Sequence, residues 1–293
     1  MGSREVPYDK DAICDDCGNQ GAHDFMGDYI CDDCIFINEV YNLLRERLSE
    51  TRGFNPLILA YRGSLVHGTY IPDHIDDKDI IGTGMYDIDY YLGIKNPGKG
   101  TTEIKEDDKD IVYHEIRKFI SLLLKGNPNV VSVLWLDSKY YLEVHELAQW
   151  MIDYRDKFMS KRILHAFLGY AGGQLKRMQR NNYEGYMSAK RKQIVDEFGY
   201  DCKNAAHGIR LLRMGIELAK TSSIFPHRHD IDASYLLNIK NGKYSLEYVK
   251  EEAEDLANKL KEVMNNTDLP KHPDYTFINE KMVEMLFNIL NNK

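Results

Sequence analysis

Asp77 and Asp79 stand two residues apart, just ahead of the apolar pair Ile80 and Ile81, in the stretch RGSLVHGTYIPDHIDDKDIIG at positions 62–82. In an extended chain, side chains at i and i+2 leave the same face of the strand. Both carboxylates then project together, while Lys78 points away and Ile80 faces the core. Two carboxylates on one face repel each other unless a cation or a proton intervenes. Their hard oxygens suit Mg2+ (or Mn2+), which takes one or two protein carboxylates and completes its shell with phosphate oxygens and water. Gly63-Ser64 precedes this pair by a gap of twelve residues. Glycine lets a backbone approach a phosphate closely, and Ser64 can donate both its hydroxyl and its amide to the same oxygens. Together these residues describe a phosphate cradle facing a metal pair. A third acid is needed to hold a second metal at the attacking group. Asp110 is the best placed for this, at the start of the next clear strand, and Asp87 and Asp89 are its rivals.

A second set of residues could balance that acidic site. Along KNAAHGIRLLRMG, Lys203, His207 and Arg210 fall at i, i+4 and i+7, on one helix face, with Leu211, Leu212 and Met214 on another. A basic stripe opposite a metal site suits a triphosphate, whose charge needs partners on both sides; a solvated helix face is the plainer alternative. GGQLKRMQRNN is basic too, and either holds an acceptor phosphate or faces water. Lys118 reads as a phosphate ligand or as a helix N-terminal charge. PHRHD, at 226–230, reads as a polar loop rather than a second metal site.

Four of the five cysteines form two C-x-x-C pairs, Cys14 with Cys17 and Cys31 with Cys34. Each pair lets two thiolates reach one tetrahedral ion, and the two pairs complete a closed four-cysteine shell for a structural Zn2+. The segment between them is short and glycine-rich, and Gly18 directly follows Cys17, as in a tight knuckle. His23 is superfluous to a shell that four thiols already fill, and Cys202 reads as a buried or idle thiol.

The elements that must position these groups follow from periodicity. Apolar residues at 36, 37, 40, 43, 44 and 48 have a helical period. LILAYR (57–62) reads as a buried strand, DIDYYLGI (87–94) as a strand or short turn, and NPGKGTTEIKEDDK (96–109) as a loop. DIVYHEI (110–116) alternates like a strand and runs into the helix RKFISLLLKG. VVSVLWL (130–136) is a strand or the start of a helix. Segments 143–153, 160–180, 188–195, 202–220, 245–265 and 278–291 fit amphipathic helices. The expected architecture is an α/β core of mixed sheet and helices with a mainly helical C-terminal domain and a small zinc-knuckle module. The expected boundaries are 1–36 for the zinc module, 37–155 for the core and 156–293 for the helical domain.

Composition narrows the setting. The chain has 293 residues, of which 43% are apolar and 29% charged, ordinary values for a soluble globular protein. Its formal net charge of −8 disfavours non-specific nucleic-acid binding by the whole surface. No apolar run approaches the ~18 residues that span a bilayer, and the N-terminus lacks the apolar core of a signal peptide. A cytoplasmic protein without membrane association is expected.

The string Gly63-Ser64, Gly68-Thr69, Pro72, Asp77-x-Asp79, followed by DIVYHEIRKFISLLLKGNPNVVSVLW, resembles the signature of the DNA polymerase beta-like nucleotidyltransferase superfamily. It is most similar to the RNA repair pathway DNA polymerase beta family. HAFLGYAGGQLKRM, KNAAHGIRLLRMGIELAKTSSI and LLNIKNGKYS extend the resemblance over roughly residues 57–265, leaving the four-cysteine module outside it. Ile81 stands where members often carry a basic residue and Asp76 where a serine is usual, and the spacer is longer by a residue or two. The resemblance implies a template-independent nucleotidyltransferase that moves a nucleoside monophosphate from a nucleoside triphosphate to an acceptor hydroxyl. It implies two Mg2+ (or Mn2+) ions on Asp77, Asp79 and Asp110, and β- and γ-phosphates at Gly63, Ser64 and the basic helix. The implied acceptor is an RNA end. The rivals are transfer to a protein or small molecule, and a catalytically silent module that binds nucleic acid or a partner.

Overall fold

The structure is a computed structural model describing residues 8–16, 18–25, 28–48, 55–71, 78–96, 98–106, 108–179 and 189–291. In chain order its strands and helices are β1 (Tyr8–Ile13), β2 (Gln20–Phe25), β3 (Asp28–Ile30), α1 (Asp32–Leu48), β4 (Asn55–Tyr61), α2 (Gly63–Val66), β5 (Lys78–Met85), α3 (Asp89–Leu92), β6 (Thr101–Glu106), β7 (Lys109–Glu115), α4 (Ile116–Leu124), α5 (Pro128–Val131), β8 (Tyr141–Val144), α6 (Gln149–Asp153), α7 (Lys161–Met178), α8 (Ala189–Phe198), α9 (Cys202–Thr221), α10 (Ala233–Lys240), α11 (Leu246–Met264) and α12 (Tyr275–Asn291). Short 3-10 turns link α5 to β8 and β8 to α7. The chain divides into two compact units, Met1–Asn55 with Tyr86–Asn96, and Pro56–Met85 with Pro97–Lys293. Among the described residues no helix is long and apolar enough to cross a membrane.

In the first unit, β1, β2 and β3 form a three-stranded antiparallel sheet that leads directly into α1. The helix begins at Asp32, four residues before the apolar period does. Asp32 and Asp33 occupy its first turn and Arg45 and Arg47 its last, each sign facing the favourable end of the helix dipole.

The second unit holds a five-stranded mixed sheet in the order β6-β7-β5-β4-β8. β5 and β7 run parallel, while β6 pairs antiparallel with β7 and β8 with β4. β4 is an inner strand, and its run Leu57, Ile58, Leu59, Ala60 is buried on both faces, as expected of a covered strand. Each of these larger side chains contributes about 1.5–3 kcal/mol on burial. β5 is covered in the same way, with Ile80 and Ile81 both buried. Gly82 keeps the sheet tight: a Cβ there would lie 2.4 Å from Leu59 Cδ2 and 2.8 Å from Tyr113 Cδ2, on the two flanking strands. β7 ends at Glu115, whose carboxylate accepts from the amides of Arg117 (3.0 Å) and Lys118 (3.1 Å) and so caps α4. α4 buries Ile116, Phe119, Ile120 and Leu123. Asn127 caps α5 in turn, with Pro128 in its first turn.

Beyond β8 the unit is helical. α9 is buried along most of its length, between α7, α10 and α11. Gly208 lets α7 approach it, since a Cβ there would meet Leu175 Cγ and Cδ2 at 2.8 Å. The loop into α10 is fixed by Arg228, which is fully buried. Its guanidinium donates to Asp232 (Nε to Oδ1, 2.7 Å) and to Glu217 (Nη2 to Oε1, 2.8 Å).

Three expectations fail. Residues 101–106 are a strand and not part of a loop; β6 is an edge strand that buries only Ile104, so it carries little of the apolar alternation that marks a strand. For 87–94, the short-turn alternative holds, as a single helical turn at 89–92. The helix expected from 143 starts at Gln149, because Tyr141–Val144 pair with β4 as the opposite edge of the sheet. α10 was not anticipated at all. For 130–136, the helical alternative holds, as α5 and a 3-10 turn. The mixed sheet and helical C-terminal part stand as expected.

Candidate active site

Strand register sets the site. In the parallel pair of β5 and β7, Asp79 lies directly opposite Asp110, so their side chains share a face of the sheet. Arg62, the residue after β4, spans them: its Nη2 lies 3.4 Å from Asp79 Oδ1 and 3.4 Å from Asp110 Oδ1. Its Nε donates to the Ile80 carbonyl at 3.3 Å, and its amide donates to the Asp79 carbonyl at 2.9 Å. Lys105, opposite Asp110 on β6, reaches Asp110 Oδ2 at 3.0 Å, but it is mostly exposed and its pull is screened by solvent. Asp77 lies outside the described residues. Asp87 and Asp89 belong to the other compact unit, where Asp89 pairs with Lys95.

Gly63 turns the chain from β4 onto this acidic face with φ of +68°. Any Cβ there would sit 2.2 Å from Asp79 Oδ2. Only glycine satisfies both the left-handed backbone and the close carboxylate. Ser64 follows, with its Oγ buried and without a hydrogen-bond partner among the described residues.

Gly63, Ser64 and Asp79 line one side of a pocket of about 230 Å3. Lys203, His207 and Arg210 of α9 line it too, as do Arg62, Asn129 and Lys240. The expected basic stripe therefore does not face open water. Arg210 is only 7% exposed. Its Nη1 donates to the Met214 thioether at 3.1 Å, and it makes no ion pair with a described carboxylate. Burial, then the nearby Arg228 cation, pushes its pKa down to about 9, with Asp232 opposing them. It still carries its charge at neutral pH. His207 is held well below its usual pKa by burial and then by the cations Arg210, Arg177, Lys203 and Arg62, so it is neutral at pH 7. Its Nε2 is buried without a hydrogen-bond partner among the described residues.

The helical part also grips the residues just after Ser64. His67 Nδ1 donates to the Pro226 carbonyl at 2.7 Å, Lys240 Nζ donates to the Thr69 carbonyl at 2.7 Å, and His227 Nδ1 lies 3.2 Å from the Val66 carbonyl. Burial, and then Arg210, holds the His67 pKa well below its usual value. The turn that presents Gly63 and Ser64 is thus braced by chain more than 150 residues away in sequence.

The sequence matches the RNA repair pathway DNA polymerase beta family over residues 43–284. The chain belongs to that family. The match is wider than the motifs alone indicated, and it excludes Cys14, Cys17, Cys31 and Cys34. No curated protein matches the chain. Among solved structures, a nucleotidyltransferase-like protein from Exiguobacterium sibiricum aligns over 88% of this chain and 80% of its own, at 10% identity and a TM-score of 0.28, a likeness too slight to bear on fold or function.

Within this family member, sequence reasoning missed Arg62, Asn129 and Lys240. Asn129 had a legible signal, since Asn127 as cap and Pro128 in the first turn place it on the first turn of a helix. Lys118 does not line the pocket, and its amide is taken up in the α4 cap. In the PHRHD loop, His227 contacts the Tyr140 hydroxyl (2.9 Å) and Arg228 organises the core, so the loop is structural. In the basic stretch that ends α7, Arg177 Nε donates to the Gly173 carbonyl (3.2 Å), and residues 180–182 lie outside the described residues. Cys202 is buried, and burial raises its thiol to about 11, which makes it inert.

In the first unit, the thiols of Cys14, Cys31 and Cys34 lie within 4.8 Å of one another and are all buried. Cys14 follows β1, while Cys31 and Cys34 flank the start of α1. Gly18, with φ of +73°, donates its amide to the Cys14 carbonyl (2.8 Å) and closes the turn. His23 is engaged with Asp32 at 2.8 Å. Cys17 lies outside the described residues.

Proposed function

We propose that this chain is a metal-dependent, template-independent nucleotidyltransferase that moves a nucleoside monophosphate from a nucleoside triphosphate to an acceptor hydroxyl, an RNA end, with release of pyrophosphate. Family membership supports the class of reaction. The observation that carries the reading is Arg210, a charged guanidinium buried at the wall of a pocket that also exposes Asp79 and the Gly63-Ser64 turn. A buried cation is costly until an anion compensates it, and a triphosphate has the charge to do so.

Asp79 and Asp110 offer hard oxygens side by side and already hold a cationic group between them, a donor set that fits Mg2+ or Mn2+. With Asp77 they would hold the metal, which neutralises phosphate charge and acidifies the acceptor hydroxyl. Lys203, Arg210 and neutral His207 orient the β- and γ-phosphates, and Ser64 donates its free hydroxyl to them. The acceptor oxygen bonds to the α-phosphorus as the bond to the α,β-bridging oxygen breaks. The electron pair leaves with pyrophosphate, and the acceptor proton passes to solvent.

The same reading assigns residues 1–36 to a zinc module, 37–155 to the transferase core and 156–293 to the helical domain. The Cys14, Cys31 and Cys34 thiols are close enough to share one Zn2+ at ~2.3 Å, with Cys17 as fourth ligand. Four thiolates leave no open position, so the ion organises the fold and does no chemistry. They also suit a reducing compartment, which supports a cytoplasmic location.

The test is label transfer from α- and γ-labelled triphosphates to total RNA, lysate protein and small metabolites. α-Label on RNA supports the reading in full. α-Label on protein or a small molecule replaces the acceptor. Transfer of γ-label alone, or no transfer and no pyrophosphate, contradicts it.

A further inference from the structure

We propose that Arg62 is an exchangeable counter-cation of the acidic pair. It holds Asp79 and Asp110 together until a divalent cation displaces it, and it then serves the triphosphate. The inference rests on the nucleotidyltransferase reading of the site. Arg62 is anchored through its backbone amide to Asp79 O (2.9 Å) and through Nε to Ile80 O (3.3 Å). Its two carboxylate contacts are another matter. Both come from the same nitrogen, Nη2, at 3.4 Å. Charge-assisted hydrogen bonds are closer to ~2.8 Å, and strong guanidinium–carboxylate pairs use both nitrogens of the fork. Arg62 therefore neutralises both acids electrostatically without a tight bond to either.

Charge makes the two cations rivals. A divalent ion held by Asp79 and Asp110 lies within a few ångströms of the guanidinium that already contacts both, and like charges at that range repel appreciably even at a partly exposed site. The displaced group has somewhere to go. Arg62 lines the same pocket as Lys203 and Arg210, so the phosphates that accompany the metal replace the carboxylates as its partners. One side chain thus opposes metal binding and favours polyphosphate binding. A residue that only supported the fold would weaken both when replaced.

The opposed signs give the experiment. Mn2+ binding is measured by electron paramagnetic resonance, without nucleotide, on the full chain as wild type, Arg62→Gln, Arg62→Lys and Asp79→Asn. Binding of inorganic tripolyphosphate in chelator is measured by calorimetry on the same proteins, and circular dichroism checks folding. Arg62→Gln should bind Mn2+ about tenfold more tightly and tripolyphosphate several-fold more weakly, with Arg62→Lys close to wild type in both. Unchanged or weaker Mn2+ binding by folded Arg62→Gln, while Asp79→Asn loses it, overturns the inference and leaves the site reading intact. If Arg62→Gln does not fold, Arg62→Lys decides: it keeps the charge, so Mn2+ binding well above wild type overturns the inference. Mn2+ binding by Asp79→Asn equal to wild type overturns the site reading, and the inference with it.

Discussion

Gly63 and Asp79 are packed so closely that a Cβ on Gly63 would stand 2.2 Å from Asp79 Oδ2. The turn that would carry phosphate and the strand that would carry metal are therefore one structural unit. Gly63→Ala must strain a backbone held at φ +68° and push Asp79 off its register partner Asp110. A loss of about 1–3 kcal/mol in stability is expected, with turnover falling by about a hundredfold or more because a misplacement near 1 Å has that effect. Denaturant melts and turnover on the same preparation check both.

Three histidines are held neutral by the fold, and they set an acid limit on stability. Burial depresses the pKa of His67 and His207 well below 6.5, and burial followed by Lys118 lowers His114 to about 4. Above pH 6.5 both folded and unfolded chains keep these rings neutral, and the contribution is complete. As pH falls below 6.5 the unfolded chain takes up protons that the folded chain refuses, so stability declines, and His114 stops contributing to that decline once the pH passes about 4. At pH 5.5 His114 should cost about 1.4 kcal/mol, with His67 and His207 acting in the same direction. Urea melts at pH 7.5 and 5.5 should differ accordingly, and His114→Asn should reduce the difference by one ring's share.

Arg228 should matter more to folding than any residue of the pocket. Its removal leaves buried Asp232 with only Arg213 (3.3 Å) and half-buried Glu217 without the cation they shared. Arg228→Ala is expected to destabilise by about 3–5 kcal/mol and to loosen α10, which carries Lys240. Thermal melts read the first effect, and hydrogen exchange along residues 233–240 reads the second.

The cysteine cluster predicts one equivalent of zinc per chain, released by thiol-modifying reagent and absent from Cys31→Ser. The variant should lose protection from proteolysis within residues 8–48 first. Metal analysis that finds no zinc in reduced wild-type protein contradicts the assignment.

Much of this arrangement was legible in the residues, and the rest was hidden for definable reasons. β4, β5 and β7 announce themselves because central strands need continuous apolar runs, and Asp79 and Asp110 stand out as carboxylates tied to those runs. β6 and β8 are edges, with one buried side chain or none, so their local pattern resembles a loop or a helix start. Arg62 reads as an ordinary charge at a strand end; its role appears only when β5 and β7 bring two acids beneath it. Lys240 looks like a favourable cation in the last turn of a helix, and only its bond to Thr69, 171 residues away, reveals it as buried. The stripe on α9 was visible by spacing, but its burial depends on α7 and α11 closing around it at Gly208 and Gly215.

Asp79 and Asp110, paired in register across β5 and β7, are expected to carry nucleotidyl transfer. The most direct measurement is the rate of α-label transfer by wild type beside Asp79→Asn and Asp110→Asn, each verified as folded and each assayed across Mg2+ and Mn2+ concentrations. Either substitution should reduce the rate by about a thousandfold or more, with little loss of thermal stability, since Arg62 stays paired with the remaining acid. Transfer at an undiminished rate by folded Asp110→Asn or Asp79→Asn would contradict the account.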